Sequence, residues 1–377
     1  MYMNFWYVAA QSSELTEAPL KVTMLSQNFV LFRDSKGQAH CLSNVCTHRG
    51  GNLSGGKMRG DAIECPYHGW QFTGAGECVK IPSLGKDKCA NVPARTRIDA
   101  YPVREQYGLV FAFLGDLPEA ERPPIMEIPE YGTEGWYPNL LVNEYKANYE
   151  RAVENTLDPA HNEFVHPTHG YSGDRDTYYV AEYTLDETPW GCGFMTKFDA
   201  PPLKDATMNK LRAVDGEMEA GSGHVGPHQT WTQIHMTKAN WFHQYTYRTP
   251  VTRTHTKSYL INMRNALQGP QHDEAINKRQ RLIQSQDVVI LEAIEPAIPP
   301  ATNTREVLMP ADKAIARYRQ FTKDWNAKGW RIDIARMEHD AAETVFAIPS
   351  PARRTHKAWV TDPVPVAQPK PAQQAAE

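Results

Sequence analysis

No stretch of this chain stays apolar for the roughly 18 residues that a membrane-spanning helix needs, and no run of lysine or arginine marks a nucleic-acid surface. The formal net charge of −4 is close to neutral. The N-terminal Met1-Tyr2-Met3-Asn4-Phe5-Trp6 lacks the basic start and apolar core of a signal peptide, so a cytoplasmic setting is expected. Cysteine is scarce, and six in 377 residues make no disulfide scaffold. Internal repeats are missing. So is a flavin or nicotinamide fingerprint: Gly74-Ala75-Gly76 imitates the start of one but lacks the third glycine and a following helix pattern. A hairpin turn is expected there. What is present in quantity is proline, 28 residues, and aromatic side chains at 10%, in a chain long enough for two domains.

The few cysteines are not scattered. Cys46-Thr47-His48-Arg49-Gly50-Gly51 is followed, after sixteen intervening residues, by Cys65-Pro66-Tyr67-His68-Gly69-Trp70. Each half offers one thiolate and one imidazole, with glycines beside both. Two Cys and two His form the ligand set of a Rieske [2Fe–2S] centre, imidazoles on one iron and thiolates on the other. Tetrahedral zinc is the alternative, though zinc modules usually pair like with like. Cys41, Cys78, Cys89 and Cys192 have no ligand spacing and are expected as small buried hydrophobes.

A second concentration of ligand-type side chains is Asn155-Thr156-Leu157-Asp158-Pro159-Ala160-His161-Asn162-Glu163-Phe164-Val165-His166. On an unbroken helix, His161 and His166 would lie about 140° apart, so the helix must break if both are to meet one metal. Pro159 disfavours the α conformation at Asp158. A helix from near Asn148 to Leu157 is expected, then a short turn with Asp158 as its N-cap and Pro159 at its first position. The zinc-protease pattern fails here, because it needs His at i and i+4 with Glu directly after the first. Later, Arg281 to Glu295 is patterned as a helix ended by Pro296. Ile283, Ile290, Leu291 and Ile294 put Asp287 on its apolar face. A carboxylate there needs a metal or a buried arginine.

These motifs resemble the oxygenase component of Rieske non-heme iron oxygenases. The likeness runs from Phe5-Trp6-Tyr7-Val8-Ala9-Ala10 to Gly108-Leu109-Val110-Phe111-Ala112-Phe113-Leu114-Gly115, and includes Arg49 and Trp70. Gly50-Gly51 stands where respiratory-chain Rieske proteins carry a disulfide cysteine. The Asp-x-Val-x-x-Glu-Ala-Ile-Glu run starting at Asp287 is similar to the vanillate-demethylase and dicamba-monooxygenase branch. The resemblance implies a cluster on Cys46, His48, Cys65 and His68, and mononuclear Fe(II) on His161, His166 and Asp287. It implies catalytic roles for Asp158 and Asn155, with Asp158 bridging His161 to His68 of a neighbouring subunit in a homotrimer. The implied reaction is mono-oxygenation: hydroxylation or oxidative demethylation of a hydrophobic substrate such as an aromatic methyl ether, an N-methyl compound or a sterol-like polycycle. Electrons would come from NAD(P)H through a separate reductase or ferredoxin. Ring dihydroxylation is the alternative reaction; a Rieske electron carrier and a zinc-stabilised binding module are alternatives of other classes.

The expected fold class is α+β: an all-β Rieske domain over 1–117, a polar Pro-rich linker over 118–135, and a domain of antiparallel sheet flanked by helices over 136–360. A disordered Pro-rich tail is expected over 361–377. Strands are expected at Val22–Leu25, Phe29–Phe32, Thr177–Tyr183, Trp231–Met236, Trp241–Tyr247 and Ser258–Met263, with alternation that buries one face. Asp312 to Trp325 is patterned as an amphipathic helix with Ile315, Tyr318, Phe321 and Trp325 on one face and Gly329 near its C-cap. Pocket candidates are Trp231, Met236, Trp241, Phe242, Tyr245 and Tyr247. His224, His228, His235 and His243 are either structural or available to a polar substrate group. Lys57, Met58 and Arg59 offer either a docking patch for an acidic partner or a solvated loop.

Overall fold

The computed structural model describes residues 1–199, 201–203, 206–211, 217–300 and 303–368. Contacts divide the chain into two compact units: Met1–Pro124 together with the chain from Trp325 onward, and Ile125–Asp324.

The first unit is built of small antiparallel sheets. Phe5–Gln11 and Val103–Gln106 flank the fully buried strand Leu109–Leu114. Leu20–Met24, Gln27–Arg33, Ala39–Ser43 and Ala100–Tyr101 form a second sheet, and Lys57–Arg59, Ala62–Glu64, Gln71–Thr73 and Cys78–Lys80 a third. The two expected early strands lie in this second sheet, except that Leu25 falls in the turn between them with φ 53°. Gly74 to Gly76 makes the expected turn, with Gly76 at φ 76°, a conformation that favours glycine.

The C-terminal chain was expected to stay with the second domain to residue 360, and it does not. Trp325 packs edge-on against Tyr2 and Phe5 at 5.9 and 5.1 Å, and Met3 N–H donates to the Trp330 carbonyl. The helix Lys313–Ala327 buries Ile315, Tyr318, Phe321 and Trp325 as its pattern predicts. Periodicity shows which residues a helix buries, not what buries them. The expected disorder does not begin at residue 361 either. Asp362–Pro363 pairs in parallel with Phe346–Ala347, Val364 is buried, and Val366 bridges Ile332. Pro-Val-Pro-Val supplies an apolar alternation, and prolines are tolerated in such marginal pairing. Residues 369–377 lie outside the described ones.

In the second unit a seven-stranded antiparallel sheet runs in the order Tyr137–Tyr145, His255–Arg264, Trp241–Thr252, Gln229–His235, Glu217–Val225, Gly191–Asp199, Asp186–Thr188. Three of its strands fall where alternation places them. The strands at Gly191–Asp199 and Glu217–Val225 escape propensity because they carry glycines for a packing reason. A Cβ at Gly193 or Gly223 would come within 2.3–2.4 Å of the Trp231 indole, which lies across both. The expected strand Thr177–Tyr183 is irregular. Among the described residues it pairs with no strand, and two of its tyrosines bond elsewhere: Tyr178 to the Ala160 carbonyl and Tyr183 to that of Ala311. The linker is irregular but not loose. Ile125, Met126 and Ile128 are buried, and Gln229 accepts the Met126 N–H.

Candidate metal centres and substrate cavity

The two Cys/His loops share one backbone scheme. Cys46 N–H donates to the Gly51 carbonyl at 2.8 Å and Gly50 N–H to that of Cys46 at 3.0 Å; Cys65 N–H donates to Trp70 at 2.7 Å and Gly69 N–H to Cys65 at 3.0 Å. Gly50 and Gly69 both have positive φ, 69° and 73°. The thiols point inward, Cys46 and Cys65 being buried beside Leu53, Ile63 and Phe72. His48 lies at the surface and His68 is half-buried, their rings 4.3 Å apart, with His48 stacked on Trp70 at 4.6 Å. Burial pushes the Cys46 thiol up to about 12, with the neighbouring Cys65 adding to the shift. Two thiols crowded in an apolar pocket ionise readily only onto a metal, so the donor set fits the iron–sulfur group. Of the other cysteines, Cys41, Cys78 and Cys192 are buried as expected, whereas Cys89 is half-buried and its thiol faces the Lys86 carbonyl. Lys57 and Arg59 both pair with Glu64, at 3.5 and 3.1 Å.

In the second unit the helix Tyr149–Leu157 is capped by Asn148, whose side chain accepts the Glu150 N–H, and it ends before Asp158-Pro159. Asp158 caps the short turn at Pro159 as expected. Its carboxylate accepts the Ala160 N–H at 2.7 Å, and the next helix is Asn162–Val165 with His161 at its cap position. This break resolves the five-residue spacing: His161 precedes the short helix and His166 follows it. His161 Nδ1 meets the main-chain carbonyl of Asp158 at 2.6 Å, and His166 Nδ1 meets Gln286 Oε1 at 3.1 Å. With each Nδ1 facing an oxygen acceptor, both rings direct Nε2 toward one point. The two Nε2 atoms lie 3.2 Å apart; Asp287 Oδ1 is 3.2 Å from that of His166 and 3.7 Å from that of His161. Asn155 Nδ2 donates to the same Oδ1 at 3.0 Å.

Asp287 comes from the helix Asp273–Leu291, longer at its start and shorter at its end than its pattern implies. Ile283 lines the cavity and Ile294 packs in a core cluster, but Ile290 is exposed. The partners of Asp287 are two histidines and an asparagine, not an arginine. Burial pushes its carboxyl up, yet His166, His161 and Asn155 outweigh that and hold it below the usual range. Burial lowers His161, whereas at His166 the Asp287 carboxylate outweighs burial and raises it. Two imidazoles offering Nε2 and one carboxylate are a donor set that fits Fe(II) with open positions. The ligand atoms of these three all lie within 4.8 Å of one another. Gln286 had no sequence signal of its own, nor had Glu163. The buried Glu163 carboxylate takes Arg175 at 2.6 Å and the Gly173 N–H at 3.1 Å, pinning the loop after His166.

The triad opens on a cavity of about 270 Å³ walled by apolar side chains such as Phe194, Met236, Phe242, Leu260 and Ile283. Of the pocket candidates only Met236 and Phe242 line it. Trp231, Trp241, Tyr245 and Tyr247 alternate to the other face, where Tyr245 bonds Glu130 and Tyr247 the Met126 carbonyl. None of the four histidines lines it either. His224 bonds the Gly226 carbonyl and burial takes it down to about 4, while His243 meets Glu130 at 2.6 Å.

Family profiles match residues 5–102 as a Rieske [2Fe-2S] domain and 145–328 as a vanillate O-demethylase oxygenase C-terminal domain. The iron-sulfur subunit TsaM1 of a toluene-4-sulfonate monooxygenase system from Comamonas testosteroni is 37% identical over 166 residues, 44% of this chain and 46% of that protein. A 4beta-methylsterol monooxygenase from Methylococcus capsulatus is 37% identical over 166 residues, 43% of this chain and 44% of that protein. The matched region thus spans less than half the length of these relatives. In fold, the chain is similar to dicamba monooxygenase bound to dicamba (TM-score 0.72, 23% identity, 86% of this chain and 98% of that one). It is equally similar to Pseudomonas putida CBB5 NdmA with caffeine (TM-score 0.72, 23% identity, 86% and 91%).

Proposed function

The chain belongs to the Rieske oxygenases, and from that premise we propose that it is the oxygenase component of a multicomponent mono-oxygenase acting on a hydrophobic organic substrate. The observation that carries this reading is the convergence of His161, His166 and Asp287 at the wall of an apolar cavity, in a chain that also bears the Cys/His loops. When bound, the cluster supplied by Cys46, His48, Cys65 and His68 passes electrons, and iron(II) on the triad activates dioxygen. The protein's part is positioning. The Asp158 carbonyl and Gln286 hold the two rings in the tautomer that offers Nε2. Asn155 fixes the Asp287 carboxylate. The apolar walls seat the substrate and keep water from the reacting carbon. If that carbon is a methyl on oxygen or nitrogen, its hydroxylated product breaks the C–O or C–N bond, releasing formaldehyde and leaving the hydroxyl or amine.

No helix among the described residues is long and apolar enough to cross a membrane. A separate reductase, or a ferredoxin with its reductase, is the electron source. Asp158, its carboxylate half-buried beside His161, is the residue we assign to joining this iron site to His68 of a neighbouring copy in a trimeric ring. A coupled oxygen-uptake screen over aromatic methyl ethers, N-methyl compounds and sterols tests the reading. Substrate-dependent uptake is expected, with one atom of labelled dioxygen in the product. Two labelled atoms would mean dihydroxylation instead. No uptake with any substrate, despite a reducible cluster, would leave an electron carrier.

A further inference from the structure

Four arginines are buried among the described residues, and three of them face carboxylates. Arg151 meets Glu306 at 2.8 Å, Arg264 meets Asp273 at 2.5 Å, and Arg319 meets Glu154 at 2.6 Å. Arg248, only 9% exposed, has no acidic partner among the described residues. Its Nη1 donates to Thr230 Oγ1 at 2.6 Å and its Nη2 to Thr156 Oγ1 at 2.7 Å, and the Tyr145 hydroxyl is a third neighbour. A guanidinium has five N–H donors, so three hydroxyl partners leave donors over. None of the three neutralises the charge.

Buried charges are normally paired or bound to a metal, because an isolated one is costly to desolvate. Arg248 also lines the cavity. Thr156 adjoins Asn155, the residue that bonds Asp287, so the unpaired cation stands at the metal end of that cavity. Iron(II) held by two neutral imidazoles and one carboxylate would keep a net positive charge of its own. The remaining lining mixes apolar side chains with amides, hydroxyls and a half-buried arginine, Arg279, whose Nη2 donates to the Thr168 carbonyl at 3.2 Å.

We propose that the substrate is an organic anion: an apolar body with a carboxylate or sulfonate that Arg248 receives through paired N–H groups. Seating the anion there turns the carbon to be oxidised toward His161, His166 and Asp287. Arg is suited to this, because its planar fork matches a carboxylate or sulfonate and stays charged at any working pH. The inference rests on the oxygenase reading for its orientation, and it narrows that reading. Neutral N-methyl compounds and sterols without an acidic group would fit the apolar walls but leave Arg248 unpaired.

The test is equilibrium binding to the metal-loaded, full-length enzyme without reductant, so that no turnover is needed. The probes are 4-methylbenzoate, 4-methylbenzenesulfonate and the neutral 4-methylbenzamide, followed by titration calorimetry and thermal melting. Wild type is expected to bind at least one of the two anions ten-fold or more tighter than the amide. Arg248→Met should abolish that preference while its ligand-free melting midpoint stays equal or rises, because an unpaired buried charge has been removed. Arg248→Lys, which keeps the charge without the fork, should retain part of the preference. Equal binding of anions and amide by wild type overturns the proposal, as does no measurable binding of either anion, or a preference that survives in Arg248→Met. A steep fall in the Arg248→Met midpoint that Arg248→Lys restores makes the residue structural and likewise overturns it. Failure of the oxygenase reading looks different: Arg248-dependent anion binding would persist while electron-dependent oxygen uptake was missing.

Discussion

Asp158 shows how one side chain can carry two separable duties. Its main-chain carbonyl holds the His161 ring, while its carboxylate accepts the Ala160 N–H. Asn in its place would accept the same N–H and leave the carbonyl untouched. Asp158→Asn should therefore fold, bind both metals and accept electrons into its cluster, while product formation falls by orders of magnitude. Near-normal turnover would reduce the residue to a turn former, whose loss ordinarily costs about 0.5–2 kcal/mol, and would remove the inter-subunit route. At this scale much of the site is legible from type and spacing, because thiolates and imidazoles in these patterns have few other uses. Gln286 is not legible: an amide beside a helix carboxylate looks like any solvated residue until His166 is seen against it. Arg248 is hidden for the same reason, since its missing carboxylate is a fact of three dimensions.

Among elements, the loops around the cluster leave little room beside the thiols. A Cβ on Gly51 would lie 2.8 Å from Cys65 Sγ and 3.7 Å from Cys46 Cβ. Gly51→Ala should thus displace the Cys65 thiol and lower cluster occupancy, while the His161, His166 and Asp287 triad of the other unit keeps its metal affinity. Visible absorption and sulfide content measure the first effect, and iron titration of the triad the second. Full occupancy in that variant would show that the loop has slack which the close approach denies. Elements with a clean alternation or helical period were legible, as at Trp241–Thr252 and Lys313–Ala327. The glycine strands opposite Trp231 were not, because their composition answers to a neighbour's indole rather than to strand propensity. Alternation also misled at Thr177–Tyr183, which pairs with no strand among the described residues.

For the whole molecule, motif order along the chain predicts an N-terminal cluster unit followed by a sheet-and-helix unit. It does not predict that the chain from Trp325 onward returns to the first unit, because only contacts with Tyr2 and Phe5 decide that. The central claim is that one chain holds two independent metal centres with no shared ligand. Metal and sulfide analysis of the purified protein and two variants tests it most directly. Wild type should carry up to about three irons and about two acid-labile sulfides per chain, with the Rieske signal. His48→Ala should lose the sulfide and the signal but keep iron at the triad. Asp287→Ala should keep the cluster and lose mononuclear iron without unfolding. Zinc in place of iron would contradict the account. So would an unchanged Rieske signal in His48→Ala, or an Asp287→Ala protein that binds iron normally while losing the roughly 3–5 kcal/mol expected of a broken buried ion pair.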